Sequence, residues 1–119
     1  MMTLRQKQSI FALLVARLIL KADAMGYETT LGEAWRSPEE AARLAKLGKG
    51  IVKSLHTSRL AIDLNLFRNG HYLSSTESYR PLGAWWETIG AAQGVTTAWG
   101  GRFTRHDGGH FSLEHEGRQ

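Results

Sequence analysis

Four side chains able to hold a metal or move a proton sit at two places in this sequence. His56 and Asp63 fall in SLHTSRLAIDLNLF, residues 54–67, and Asp107 and His110 fall in DGGH, residues 107–110. The first run is otherwise apolar and alternating, so Asp63 puts a carboxylate into a half-buried strand. Such a group is costly unless something positive meets it. A basic side chain would serve, with Arg36 and Arg59 as candidates, and so would a metal ion. His56 and Asp63 are separated by an odd number of positions, which on a regular strand points them to opposite faces. They converge only if the chain turns between Thr57 and Arg59, where the polar pair Thr57-Ser58 suits a turn.

Together His56, Asp63 and His110 supply two imidazoles and one carboxylate. Three protein ligands with a fourth position open to water is the arrangement of a catalytic zinc site. Bound zinc brings the pKa of that water down toward about 7. Asp107 would stand beside the metal without binding it, placed to take the water's proton. The chain contains no cysteine. A disulfide framework is thereby excluded, and any metal site must use imidazole and carboxylate ligands, a set that suits zinc.

The elements that must position these groups read as follows. Phe11, Leu14, Val15 and Leu18 recur on one face of a helix expected over about residues 3–25, with Thr3 as cap and Gly26 as stop. YETTLGEAW, residues 27–35, reads as a strand ending at Trp35-Arg36. Ser37-Pro38-Glu39-Glu40 starts a second helix, with Ser37 as cap, Pro38 in the first position and Glu40 completing a capping box. Leu60, Ile62, Leu64 and Leu66 point one way along the next strand, and Ala61, Asp63, Asn65 and Phe67 the other. Asn69-Gly70 turns that strand into a hairpin with HYL. A third helix is expected over residues 81–93, beginning at Pro81, and HFSLEH closes the chain as a strand. The order predicts an α+β fold: one compact domain over residues 1–119, with a mostly antiparallel central sheet and about three helices.

With 119 residues, 42% hydrophobic and 22% charged, the chain is globular in composition and leaves no length for a separate wall-binding or targeting module. Its formal charge of +4 draws it toward polyanions. The basic residues are scattered, however, and the densest stretch, Arg43, Lys46, Lys49 and Lys53, reads as a solvated helix face rather than a nucleic-acid footprint. IFALLVARLIL is interrupted by Arg17, carries helical periodicity and falls short of the ~20 apolar residues of a membrane span. No signal peptide and no stable membrane insertion are therefore expected. His71, His106 and His115 read as loop or surface residues.

Ser54-x-His56-x-x-x-x-Ala61-x-Asp63-Leu64, then Trp99-Gly100-Gly101, then Asp107-x-x-His110-Phe111, resembles the zinc peptidases that include D-alanyl-D-alanine carboxypeptidases and dipeptidases. The pattern is most similar to the L-alanyl-D-glutamate endopeptidases of phage endolysins. Trp35-Arg36-Ser37 resembles that family's Tyr/Trp-Arg-Ser/Thr segment, and the likeness runs in order over residues 8–114. The resemblance implies a Hedgehog/D,D-peptidase-like fold, with Zn2+ held by His56, Asp63 and His110. It implies Asp107 as catalytic acid/base and Arg36 as the cation facing the developing oxyanion or a substrate carboxylate. Ser54 and Trp99 are expected to face substrate, Trp99 having a core role as its alternative. The implied activity is hydrolysis of the L-Ala–D-Glu bond of the peptidoglycan stem peptide. Alternatives on the same scaffold are a D-Ala-D-Ala carboxypeptidase or dipeptidase, or a non-catalytic zinc-containing domain that binds wall peptides. By the same resemblance the protein is a monomer that accumulates in the host bacterial cytoplasm until release to the wall. The departure is Arg59, where the family pattern has glycine, so the turn after His56 either uses ordinary dihedrals or is strained.

Overall fold

The computed structural model describes residues 1–119. Helix α1, Leu4–Ala24, starts at a reciprocal box in which Thr3 Oγ1 accepts from the Gln6 N–H and the Gln6 side chain accepts from the Thr3 N–H. Two of the free donors at the helix start are thereby satisfied. Phe11, Leu14, Leu18 and Ala22 are its buried face, the expected stripe extended by one turn. The chain then reverses at Gly26, whose φ of 86° is in the left-handed region. No helix is long and apolar enough to cross a membrane.

Strand β1, Glu28–Leu31, is shorter than its β-prone composition predicts. Pairing continues beyond it in irregular form: the Gly32 N–H donates to Asp63 O and the Asp63 N–H to Glu33 O. A side chain at Gly32 would meet Asp63 O at 2.9 Å, so only glycine lets the chain pass so close. Helix α2, Pro38–Lys46, is capped by Ser37 Oγ, which accepts from the Glu40 N–H. Only half of the expected box forms, because the Glu40 carboxylate turns outward to pair with Arg43.

A short 3-10 helix, Leu55–Ser58, precedes strand β2, Ala61–Arg68. The two residues Asn69 and Gly70, both at positive φ, return the chain to β3, His71–Leu73. Helix α3 spans Thr76–Trp86, beginning five residues ahead of Pro81 and ending seven short of the expected stop. Ser75 is the true cap, its Oγ accepting from the Ser78 N–H, and Pro81 lies inside the helix. Beyond it Ala91–Gln93 forms a separate 3-10 turn. Strands β4, Thr97–Trp99, and β5, His110–Leu113, are joined through a 3-10 turn at Gly100–Arg102.

The sheet is antiparallel throughout, in the order β1-β2-β5-β4, with β3 also paired to β2. Helices α1 and α3 cover one face. Leu14, Leu18, Leu60, Leu64, Leu66, Leu82, Trp86, Phe111 and Leu113 are fully buried between them and the sheet. Each such side chain contributes roughly 1.5–3 kcal/mol of hydrophobic stabilisation. The Trp86 indole N–H donates to Ala98 O and Ser112 O, tying α3 to both β4 and β5. Gly83 brings α3 directly onto the Trp99 ring, where an added Cβ would lie only 2.1 Å away. This backing fixes the strands from which the candidate ligands project.

Candidate metal centre

Asp63 and His110 are register partners on β2 and β5. Residues directly opposite on antiparallel strands have Cβ atoms about 4.5–5.5 Å apart, so the two side chains must meet. His56 arrives from the 3-10 helix. The Ser54 Oγ caps that helix by accepting the His56 N–H, and Arg59 ends it at φ 56°, ψ 37°. The turn that the odd spacing requires is therefore present, and it is the strained alternative: Arg59 holds a left-handed backbone that glycine would adopt without penalty. The Arg59 guanidinium lies over the Trp35 ring at 5.0 Å, a contact that offsets part of this cost.

His56 Nε2 is 3.4 Å from Asp63 Oδ1, and His110 Nδ1 is 3.6 Å from the same oxygen. The three ligand atoms lie within 4.8 Å of one another. Asp63 Oδ1 is buried and accepts no hydrogen bond. That is an unusual state for a carboxylate oxygen inside a protein. Ligand atoms each about 2.0–2.2 Å from a tetrahedral zinc stand roughly 3.3–3.5 Å apart. The donor set, the two distances to Asp63 and the orphaned oxygen fit a bound divalent ion. Burial pushes the Asp63 carboxyl up, but the facing imidazoles of His110 and His56 outweigh it and hold the group well below the usual carboxylate range. The ion pair weighed against a metal is absent, since neither Arg36 nor Arg59 pairs with Asp63.

A partner behind the His110 imidazole fixes which nitrogen faces the cluster. His110 Nε2 is 3.2 Å from the main-chain oxygen of Gln119, which also accepts from Ser112 Oγ at 3.0 Å. That main-chain oxygen carries no hydrogen and can only accept, so Nε2 carries the proton and Nδ1 presents its lone pair toward Asp63. A second bond of this kind is the usual support of a metal-binding histidine. On the other side, His56 Nδ1 faces Glu33 Oε1 at 3.8 Å without a hydrogen bond. That Glu33 oxygen is occupied by Arg36, whose Nε and Nη2 donate to it at 2.7 and 2.6 Å. Arg36 keeps Nη1 free and lines the cleft.

Asp107 stands at the cluster's edge, its Oδ2 3.9 Å from His110 Nδ1. Burial raises its pKa, and the Asp63 charge raises it further. The loop carrying it depends on glycines and on Trp99. A Cβ at Gly100 would lie 2.1 Å from Asp107 O, and one at Gly109 would lie 2.7 Å from Leu64 O. Of the two roles weighed for Trp99, the structure shows the core one: it is fully buried, donates its indole N–H to Gly108 O, and does not line the cleft. It acts as a post beneath the Asp107 loop.

These residues open into a cavity of about 700 Å³. Lys49 and Lys53 line it too, which corrects the reading of them as part of a solvated helix face: α2 ends at Lys46. Sequence reasoning also missed Glu33 and Gln119. Glu33 was findable as an acid three residues before Arg36. The Gln119 contact uses a main-chain atom, and no residue type announces it.

Comparison with known proteins now adds to the geometry. No curated protein sequence matches this chain. Among solved structures, the L-Ala D-Glu endopeptidase ChiX of Serratia marcescens is similar at a TM-score of 0.69 and 24% identity, over 85% of this chain and 77% of that one. At that identity the likeness speaks to the fold, which is the α+β architecture expected. A peptidase family described as D-alanyl-D-alanine carboxypeptidase matches residues 48–113, the segment that runs from the loop before His56 through β5. The match takes in His56, Asp63, Asp107 and His110 and spans more than half of the chain, which therefore belongs to this family of D-alanyl-D-alanine carboxypeptidase-type peptidases.

Proposed function

We propose that residues 1–119 form a zinc-dependent catalytic domain that hydrolyses the L-Ala–D-Glu bond of the peptidoglycan stem peptide, in the manner of a phage endolysin. The observation that carries this reading is the convergence of His56, Asp63 and His110 on one buried, unsatisfied oxygen with Asp107 beside it. His56 Nε2, Asp63 Oδ1 and His110 Nδ1 would hold the ion. Bound there, zinc supplies Lewis acidity, which makes water nucleophilic near neutral pH.

The chain's own groups supply the rest. Asp107 accepts the proton of the attacking water on Oδ2 and returns it to the leaving amine as the peptide bond breaks. Its raised pKa suits a group that must exist in both forms during one turnover. Arg36, held by Glu33 through two donors, offers Nη1 to the negative charge that develops on the scissile carbonyl oxygen. Ser54 keeps His56 at its station by accepting its N–H.

The choice of bond draws on the name of the Serratia enzyme with the similar fold. The description of the matched family favours a second reading, removal of the terminal D-alanine. Digestion of purified muropeptides by the zinc-loaded protein separates the two: new D-glutamate amino termini support the endopeptidase, and free D-alanine supports the carboxypeptidase. Protein that takes up no zinc, or that digests murein equally well in EDTA, overturns both.

A further inference from the structure

Outside the cleft, Arg43, Arg80 and Arg102 pair with Glu40, Glu77 and Glu87, while Arg17 and Arg68 lie over the aromatic rings of Trp85 and Tyr27 and Arg5 donates to Ser9. Lys49, Lys53, Arg105 and Arg118 have no acid partner, and all four line the cavity that holds His56, Asp63 and His110. The acidic side chains lining that cavity are Asp63 and Asp107, and both are engaged at the reacting centre. The four cations are also held in place. Arg105 Nη1 donates to Gly48 O at 2.9 Å, while Arg118 donates from Nη1 to Lys53 O at 3.4 Å and from Nη2 to Ser58 Oγ at 3.3 Å. Two guanidinium groups thus pin both ends of the segment that bears Lys49 and Lys53.

Like charges lining one cavity repel one another, and no acid among the lining side chains is free to offset them. Their placement makes sense if an anion completes them. We infer that Lys49, Lys53, Arg105 and Arg118 form a carboxylate-binding subsite, which selects peptides carrying a free carboxylate next to the scissile bond over the same peptides with that carboxylate amidated. The inference rests on the peptidase reading above. A glutamate after the scissile bond uses one carboxyl to continue the chain and keeps the other, so the proposed substrate has such a group. Lysine supplies mobile point charge and arginine a fork of donors, and both suit a carboxylate.

The test compares two synthetic stem peptides, one with glutamate and one with its primary amide at that carboxylate, cut by zinc-loaded protein. Wild type is expected to prefer the acid form by roughly tenfold or more in kcat/KM, chiefly through KM, as fits a charge-assisted bond. In the double variant Lys49→Gln, Lys53→Gln the preference shrinks to within about threefold. Lys46→Gln, a charge loss on α2 away from the cleft, keeps the wild-type preference. Equal cleavage of both peptides by wild type, or an undiminished preference in the double variant, overturns the subsite while leaving the peptidase intact. If neither peptide is cut, the peptidase reading fails by itself. Calorimetric titration of both peptides then decides the subsite: tighter binding of the acid form, lost in the double variant, supports it, and equal or absent binding overturns it.

Discussion

His56, Asp63 and His110 stand on main chain that the core holds from behind, whereas Asp107 and the cations facing them ride on exposed loops. Asp63 and His110 are paired across β2 and β5, whose neighbouring residues Leu60, Leu64 and Phe111 are fully buried. The opposite wall, from Gly48 to Lys53 and from Phe103 to Asp107, is joined mainly by arginine bonds to carbonyl oxygens and by glycines that allow close approach. The difference separates two tasks. An ion needs ligands that do not move, because each misplacement weakens every bond to it. On the proposed reading, a proton carrier and a rim that grips substrate must adjust to a peptide that enters and leaves.

Breaking the fixed wall has the largest expected effect. Asp63→Ala, or removal of metal by a chelator, abolishes activity; zinc restores the chelated wild type and not the variant. Zinc content after dialysis and lysis of permeabilised cells check this together. Acidification acts on the same wall, since His56 and His110 must be neutral to ligate, so zinc is released as the pH falls. Breaking the loop-borne wall should reduce turnover without emptying the site. Asp107→Asn is expected to lower kcat by about 10²–10⁴-fold at unchanged zinc content, and a variant that lost zinc too would show that the two walls are not separable.

Smaller effects sharpen the comparison. Deleting Gln119 removes the oxygen that orients His110, and zinc affinity should weaken about 10–100-fold, measured by competition with a chromophoric chelator. Gly83→Ala drives a methyl group into Trp99, costing about 1–3 kcal/mol of stability in denaturant titration by overpacking. The smallest change is Arg59→Gly. Relief of the left-handed backbone is offset by the lost stack on Trp35 and by a more flexible unfolded chain, leaving a gain of no more than about 1 kcal/mol.

What could be read from the residues follows the same division. The alternation through Leu60–Phe67 set the face of Asp63, and the odd spacing to His56 demanded the turn that Arg59 completes. Those are local rules, and they reach the cluster of His56, Asp63 and His110. Pro81 reads as a helix start, but Pro also fits inside the first turns of a helix, and α3 is capped by Ser75 of the preceding serine pair. The length of β1 was overread because its β-prone residues continue past Gly32, where passage beside Asp63 breaks the regular ladder. Trp99 was ambiguous for a different reason: its environment is set by Gly83 and Gly108, which are far from it in sequence or separated by a loop. The cationic rim escaped notice since its members come from positions 49, 53, 105 and 118, and only folding gathers them.

The oxygen that selects the tautomer of His110 belongs to the main chain of Gln119. Replacing the Gln119 side chain would leave that acceptor where it is, so an alanine scan would score the position as silent. The orientation of one ligand is thereby insulated from point substitution at its own support, and exposed instead to anything that lifts the last strand-like turn, His115 to Arg118, off the sheet.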